Sequence, residues 1–517
     1  MTINERKSLP LWKKLIIFVV SFILFLIQLA TFAAVVYLFY SMSSNAYQGI
    51  LGILFGISYG VGIVYVLFIV SRPISTSYKT TWAILIMAAP LPFCVLYTTN
   101  SLVRYFSRKK HEKINKELEE HYRDTIGITY EFDNTLDANF TNVLSKETYA
   151  PIYEGCNLKF FPDAKLKHES MLEDLRQAKS YILMEYFIIS SGRCFNAIYE
   201  ILKEKGKEGV KTYILYDDVG SKSFSKKEVE NKLASLPNVS VCKFHPVSLS
   251  LSPTINYRDH RKICVIDGKV AYCGGDNLAD EYIHEVERFG YWRDNAFRYE
   301  GEVVDSFVKM FCNMWYSTTH ELLNFEKPIL SHERQKGYVV AFGDGPANVE
   351  NPGYDLFYSL INSARKYVYI STPYFIIDDA LIQTMCIKAK SGVEVCLLMP
   401  GIPDKKAPNY MGRANYRKLL LSNVKIYEFS PGFNHAKNII VDDEYAFCGT
   451  INMDYRSLFL HYECGALIMH NEEILKMKED YYSALSKSKL ITYQDWKDSP
   501  TYQKFIAFIL NIFAPFF

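Results

Sequence analysis

The chain has 517 residues, with 58 Lys plus Arg against 56 Asp plus Glu and a formal net charge of +2. Its length allows three to four domains of about 150 residues each, and its near balance of charge gives no field that singles out nucleic acid as a partner. Hydrophobic residues at 49% and charged residues at 22% exclude a disordered, collagen-like or coiled-coil chain.

Charge disappears near the N-terminus: no Asp, Glu, Lys or Arg occurs in residues 15–71 or in residues 80–103. A helical crossing needs about 20 apolar residues, and the polar run 41–49 (SMSSNAYQG) divides the first stretch into two expected spanning helices, 15–40 and 50–70. A third apolar segment, 82–97, is shorter and contains Pro90 and Pro92, which leaves it open between a kinked crossing and a re-entrant dip. A cleaved signal peptide is the alternative for the first segment, against which stand its long apolar run and the lack of an obvious small-residue cleavage site. An anchor of this size is too small to line a transporter's substrate path. Basic residues precede the first segment (Arg6, Lys7, Lys13, Lys14), fill the short loop (Arg72, Lys79) and follow the third segment (Arg104, Arg108, Lys109, Lys110). The positive-inside rule wants all three groups in the cytoplasm. Three full crossings cannot satisfy that and a re-entrant third segment can, so the large body is expected on the cytoplasmic face of a multi-pass membrane protein.

Residues 1–103 are thus read as a membrane anchor and 104–148 as a charged connector. From about residue 149, short β-rich runs alternate with amphipathic stretches, the α/β pattern. The text then repeats. YILMEYFII (181–189) recurs as YISTPYFII (369–377) at an offset of 188, GVKTYILY (209–216) as GVEVCLLM (392–399) at 183, and HRKICVID (260–267) as HAKNIIVD (435–442) at 175. Three matches in one order with a slowly drifting offset indicate a duplicated domain, expected over 149–330 and 331–500. The apolar tail, 501–517, either lies on the membrane surface or packs against the body. The eleven Cys include no CxxC pair and sit singly in apolar runs, as at Cys264, Cys273, Cys396 and Cys448. That pattern fits buried thiols in a reducing compartment rather than a zinc cage or a disulfide framework.

The third repeated element carries chemistry. Both copies read HxKxxxxD, and chance supplies at most about 0.1 such match in a chain of this composition. ICVI and NIIV after each Lys are apolar and β-rich, so each motif opens a strand whose side chains alternate faces. His260 therefore shares a face with Lys262, and His435 with Lys437. Asp267 and Asp442 fall on the opposite parity and about 16 Å beyond the Lys at about 3.3 Å per residue, a position suited to fixing the following turn rather than to proton transfer. Asn277 and Asn452, each 17 residues past its His, can return to the His/Lys end as neutral donors. Two such half-sites facing each other suit a phosphodiester. Lys262, Lys437, Asn277 and Asn452 would hold its non-bridging oxygens, one His would attack phosphorus, and the other would protonate the leaving alkoxide. This chemistry needs no metal or other cofactor.

At these residues the chain resembles the phospholipase D superfamily, whose signature is the paired HxKxxxxD motif, over about residues 150–495. It is more closely similar to bacterial cardiolipin synthases, through HRKICVIDGKVAYCGGDNLADEY, YWRD (291–294) and HAKNIIVDDEYAFCGTINMDYRSLFLHYE (435–463). The resemblance implies two tandem phospholipase D-like α/β domains, mixed sheets flanked by helices about a pseudo-twofold axis, behind N-terminal transmembrane helices. It implies a catalytic set of His260, Lys262, Asp267, His435, Lys437 and Asp442, and a phosphatidyl transfer between two phosphatidylglycerol molecules that yields cardiolipin and glycerol. His260 as nucleophile and His435 as acid follow superfamily habit, while the symmetric repeat leaves that choice open. The family also implies a downstream carboxylate orienting each imidazole. Asp294, 34 past His260, and Glu463, 28 past His435, stand at those positions, with ion pairing to Arg293 and Arg456 as their alternative use. The aromatics at Tyr186 and Tyr374 either wall the cleft or pack the core. Expected partners are phosphatidylglycerol and membrane lipid, not nucleic acid; no oligomeric state follows. Two rivals remain at this level: a membrane-bound phospholipase D that hydrolyses its lipid, since motif residues do not distinguish water from a lipid alcohol, and an inactive scaffold binding anionic lipid, against which both intact motifs argue.

Overall fold

A computed structural model of the chain describes residues 45–121, 135–148, 150–222, 227–245, 256–346 and 350–516, with single residues at 37 and 348. The described residues divide into two compact units, one up to Lys109 together with Asn256, and one of the other residues from Lys110 onward.

The first unit is helical: α1 Asn45–Ser71, α2 Thr76–Ala88 and the start of α3, Pro90–His121. Within α1, Gly52–Ser71 is, among the described residues, the one stretch long and apolar enough to cross a membrane, 20 residues at a mean hydropathy of 2.4. Its apolar side chains face outward, with Val64 and Leu67 each 65% exposed, whereas a core helix would bury them. The first expected span, 15–40, lies outside the described residues apart from Tyr37. The third apolar segment is not one helix. It breaks at Ala89 (φ −151°), because Pro90 has no N–H to continue the ladder and crowds the residue before it out of the helical region. α2, with 13 residues, reaches about 20 Å at 1.5 Å per residue, short of a hydrocarbon core of about 30 Å. Tyr65 to Thr98, Arg72 to Tyr97 and Asn100 to Tyr78 hydrogen bonds tie the three helices together. α3 runs unbroken from its apolar start into the charged stretch read as connector.

The second unit begins its regular structure with α4, Thr135–Thr148. Strands follow in chain order: β1 Tyr153–Glu154, β2 Asn157–Phe161, β3 Tyr181–Tyr186, β4 Lys211–Asp217, β5 Val239–Phe244, β6 Lys262–Ile266, β7 Val270–Gly274, β8 Tyr291–Arg293, β9 Ala296–Glu300 and β10 Tyr338–Asp344. The second half supplies β11 Tyr367–Ser371, β12 Phe375–Ile376, β13 Glu394–Pro400, β14 Lys425–Phe429, β15 Gly432–Asn434, β16 Asn438–Val441, β17 Tyr445–Gly449, β18 Met453–Asp454, β19 Glu463–Met469 and β20 Ser488–Ile491. Among the described residues, seven strands form one sheet in the order β2-β9-β7-β6-β3-β4-β5 and nine form another in the order β1-β10-β19-β17-β16-β11-β13-β14-β20. The second sheet repeats the first sheet's order and adds β1 and β20 at its edges. Pairing repeats too: β3 runs parallel to β4 and antiparallel to β6, as β11 does with β13 and β16. The parallel steps use crossover helices, Arg193–Lys207 and Asp379–Lys390.

The two sheets face one shared core. On β6, Ile263 and Val265 point into it, and Cys264 and Ile266 point to the outer helices; on β16, Ile440 points in, and Ile439 and Val441 point out. Helix Val304–Thr319 lies in the shared core through Phe307, Phe311 and Trp315, and helix Glu473–Ser486 through Met477 and Tyr481. Residues 135–148 and 150–154, within the stretch read as connector and as the start of the first domain, instead fold onto the second half. Phe140 and Leu144, one helical turn apart on α4, are buried with Leu356 and Phe357, and β1 pairs with β10. All eleven cysteines are free thiols, ten of them buried.

Candidate active site

β6 and β16 lie inside their sheets, and the HxK ends of both emerge where the two halves meet. Lys262 and Lys437 are each 1% exposed, and His260 and His435 each 7%. The backbone just before each motif is stitched to the opposite half. His260 N–H donates to the Tyr462 carbonyl (2.8 Å) and Tyr462 N–H to the Arg258 carbonyl (2.8 Å). Reciprocally, β15 runs parallel to β8, and His435 N–H donates to the Arg293 carbonyl (2.7 Å).

That stitching decides which carboxylate meets which imidazole. His260 Nδ1 lies 2.9 Å from Glu463 Oε2, and His435 Nδ1 lies 2.5 Å from Asp294 Oδ2. Each histidine is thus held by the acid of the other half, not by the one downstream in its own repeat. Against an ionised carboxylate the ring donates through Nδ1, which leaves Nε2 free for chemistry. The alternative of local ion pairs is not what Arg293 does: its guanidinium bonds Asp480 and the Asn434 side chain (2.7 Å).

The lysines share the faces of their histidines, as the strand parity requires. Lys262 Nζ donates to the His260 carbonyl (2.5 Å); Lys437 Nζ donates to the His435 carbonyl and lies 2.9 Å from His435 Nδ1. Removal from water dominates the electrostatics. Burial, with smaller contributions from the lysines and neighbouring rings, holds both imidazoles well below their usual range. Burial also lowers Lys262 and brings Lys437 down to about 7, against the pull of nearby carboxylates. Asp294 is pushed up to about 7 and Glu463 well above the usual carboxylate range, again chiefly by burial. Such a set of desolvated cationic groups suits an anion. A phosphodiester between the two ammonium groups would supply the charge that stabilises both lysines and a protonated histidine.

Asp267 and Asp442, the remaining members of the motif set, sit at the far ends of their strands. Asp267 accepts the backbone N–H groups of Lys179 (2.8 Å), Ser180 (2.7 Å) and Tyr181 (2.9 Å). Asp442 does the same for Arg365 (2.7 Å), Lys366 (2.9 Å) and Tyr367 (2.7 Å). Both have left-handed backbone, φ +53° and +55°, which Asp tolerates in hairpin turns. They staple each motif's loop to the start of β3 or β11, so their place in a catalytic set is corrected to a structural one. Asn277 is largely committed as well: Oδ1 accepts the Ile188 N–H (2.9 Å), and Nδ2 donates to the Tyr282 hydroxyl (2.7 Å). Asn452 is buried, and its Oδ1 has no hydrogen-bond partner. Tyr186 belongs to the core, beside Met171, while Tyr374 bonds Asp404 (2.6 Å) and lies near Phe433.

Several groups around the histidines had no sequence signal of their own. Phe187 packs edge-on to His260, and Tyr282, Trp292 and Phe433 each lie with ring centroids 5.5 Å from His435. Thr450 donates its hydroxyl to Glu463 Oε2 (2.5 Å). His461 stands with its ring centroid 5.3 Å from that of His260; its only mark in the sequence is a position two before Glu463. Among the described residues, His260, His461 and Glu463 are also the one group able to offer ligands to a metal, with donor atoms within 4.8 Å of one another. The fit is poor, because Arg456, Lys262 and Arg258 already bring positive charge to His461.

Comparison with known proteins adds an independent line. Residues 171–315 and 357–485 match the family model described as cardiolipin synthase, PLD-like domain. A cardiolipin synthase of Alkalihalophilus pseudofirmus is 38% identical over 71% of this chain and 73% of its own length. One from Halalkalibacterium halodurans is 34% identical over the same shares, 71% and 73%. The crystal structure of phosphatidylserine synthase from Haemophilus influenzae superposes with a TM-score of 0.57 at 16% identity, covering 75% of this chain and 98% of that one, a likeness of fold.

Proposed function

The chain belongs to the cardiolipin synthase family of phospholipase D-like proteins, and from that premise we propose how its site makes cardiolipin. It is a phosphatidyltransferase acting on phospholipid, and phosphatidylglycerol is the substrate we assign to it, as both donor and acceptor. The observation that carries the reading is the reciprocal pairing of His260 with Glu463 and His435 with Asp294, flanked by two desolvated lysines.

In the first step Nε2 of His260 attacks phosphorus, the bond to the glycerol oxygen breaks, and protonated His435 gives its proton to that oxygen as glycerol leaves. In the second, a hydroxyl of another phosphatidylglycerol loses its proton to His435 and attacks, the P–N bond breaks, and cardiolipin forms with His260 regenerated. Glu463 stabilises the charge that His260 gains, Asp294 holds the tautomer of His435, and Lys262, Lys437 and Asn452 steady the non-bridging oxygens. Aromatic walls and burial disfavour water as the acceptor. Asp267 and Asp442 hold the loops.

The same reading places the protein in the bacterial cell membrane, multi-pass, with its body on the cytoplasmic face. Its support is the outward-facing apolar α1 and the basic residues that border the apolar segments. At the other end, helix Thr501–Asn511 buries Ala507 and exposes Phe505 and Phe508, a pattern suited to lying on a lipid surface.

The test is purified protein in detergent with phosphatidylglycerol and no added metal. One glycerol per cardiolipin is expected, and phosphatidic acid as the main product would favour the hydrolase. Acid quenching with phosphorus-labelled lipid should leave label on His260; label on His435 would reverse the two roles.

A further inference from the structure

Glu463 has two carboxylate oxygens, and its hydrogen bonds to His260 Nδ1 (2.9 Å) and to the Thr450 hydroxyl (2.5 Å) both fall on Oε2. Oε1 is buried and makes no hydrogen bond of normal geometry, although the buried Ser457 hydroxyl, likewise without such a bond, also acts on this carboxylate. Oε1 lies 3.5 Å from Nδ1 of His461, a buried ring atom that also lacks a partner. An acceptor and a donor left unpaired at that separation, in a site without competing water, complement each other, and a shift of about 0.5 Å brings them to bonding distance. The doubled fold shows that the pair is not a generic feature of the repeat. Two residues before Asp294, where the other half has its equivalent position, stands Trp292, with its ring centroid 5.5 Å from that of His435. The pseudo-symmetry therefore holds for the aromatic packing and breaks for the chemistry: an imidazole flanks His260, an indole flanks His435.

We propose that His461 is a positioning residue, donating its Nδ1–H to Glu463 Oε1 so that the carboxylate stays ionised and oriented, its Oε2 retaining the Nδ1–H of His260. The inference rests on the reading of His260 as the nucleophile. Its physical content is proton competition. A buried Glu463 readily takes up a proton, and once neutral it no longer stabilises the imidazolium that forms when His260 binds phosphorus. A second donor on Oε1 opposes that protonation. Burial first, and then Arg456, Lys262, Arg258 and Lys405, favour the neutral form of His461 with a single N–H, and Glu463 sets which nitrogen carries it. On Glu463 itself act Lys262, Thr450 and Ser457, which favour the ionised form, and Asp454, which opposes it.

The test uses the full-length protein in detergent micelles with phosphatidylglycerol, comparing His461→Phe, which keeps the flat ring, with His461→Asn, which keeps a short amide donor, and with Ser457→Ala. Loss of a bond to a charged acceptor corresponds to at least about a 10-fold effect. His461→Phe is expected to lower kcat by that factor with KM within about 3-fold, and to move the acid limb of the kcat/KM profile to higher pH, because Glu463 then protonates more easily. His461→Asn should recover most of both. Nitrogen NMR of histidine-labelled protein without substrate should show the His260 Nδ1–H signal weakened in His461→Phe. An unchanged acid limb and NMR signal in a His461→Phe protein that melts like wild type overturns the proposal. So does Asn performing no better than Phe, or Ser457→Ala alone reproducing both effects. Failure of the nucleophile assignment looks different, since wild type would then carry no label on His260.

Discussion

Replacing Asp442 separates a staple from a catalyst. Its carboxylate accepts three backbone N–H groups at the entry to β11, at 2.7, 2.9 and 2.7 Å. Bonds to a charged acceptor are worth about 1.5–3 kcal/mol when the partner is left unsatisfied. Only the Tyr367 donor is fully buried, and the Arg365 and Lys366 donors can recover water. Asp442→Ala should therefore lose about 4 kcal/mol from these bonds, with about 1 kcal/mol more for a left-handed residue that is no longer Asp or Asn. At about 2–4 °C per kcal/mol for a domain of this size, the melting temperature falls by roughly 10–20 °C. Asp442→Asn keeps one acceptor oxygen and the backbone tolerance, and should fall by roughly half as much. The assay is thermal melting in detergent paired with single-turnover label transfer to His260, read well below each variant's melting temperature. Turnover per folded molecule should stay within about 3-fold of wild type. An unmoved melting temperature with turnover down about 100-fold, the loss expected for a missing acid or base, would return Asp442 to the chemistry.

The crossed pairing makes a prediction that pairing within each half reverses. Glu463→Gln should slow label transfer to His260 by at least about 10-fold, while Asp294→Asn should mainly slow glycerol release through His435; quench-flow with labelled lipid distinguishes the two. In the empty enzyme kcat/KM should peak narrowly near pH 7. It falls below that pH as Glu463, raised by burial, takes up a proton and loosens its hold on His260, and it falls above as the Asp294–His435 pair, with Asp294 held up at about 7, gives up the proton meant for glycerol and Lys437, held down at about 7, loses its own. The kcat profile should extend further to the alkaline side, because a bound phosphodiester favours the Lys437 cation; a flat kcat/KM from pH 6 to 9 would contradict this. Exchanging Phe505 and Phe508 for Ser should weaken binding to vesicles of phosphatidylglycerol at least about 10-fold without changing turnover in micelles, and unchanged flotation with vesicles would remove the tail from the membrane surface.

Much of the fold and site was legible in the chain because it depends on local rules. The duplication showed in three recurring segments, and the two sheets indeed share one strand order. The alternation of ICVI and NIIV put His and Lys on one face and the motif Asp at the far end, where both now bond backbone. Other expectations failed where long-range packing outvoted composition. Residues 135–148 are polar enough to read as a connector, yet Phe140 and Leu144 lie one turn apart and find the second core. Asn277, expected as a phosphate donor, also accepts the Ile188 N–H at Oδ1 and gives one Nδ2 hydrogen to Tyr282, commitments that its spacing did not show.

A linear pattern of strand periodicity and paired motifs is enough to put each His and Lys on one face of its strand, because side-chain direction along a strand is set by its two-residue repeat. It cannot say which acid faces which imidazole. Asp294 and Glu463 each follow their own repeat's histidine in the text, but β8 pairs with β15, and Tyr462 pairs with the backbone on either side of Asp259, so each acid crosses to the other half. The same crossing brings His461 beside His260, from which 201 positions of chain separate it. Such contacts are chosen by how two whole sheets close on a common core, a property of the assembled surfaces that no stretch of sequence carries alone.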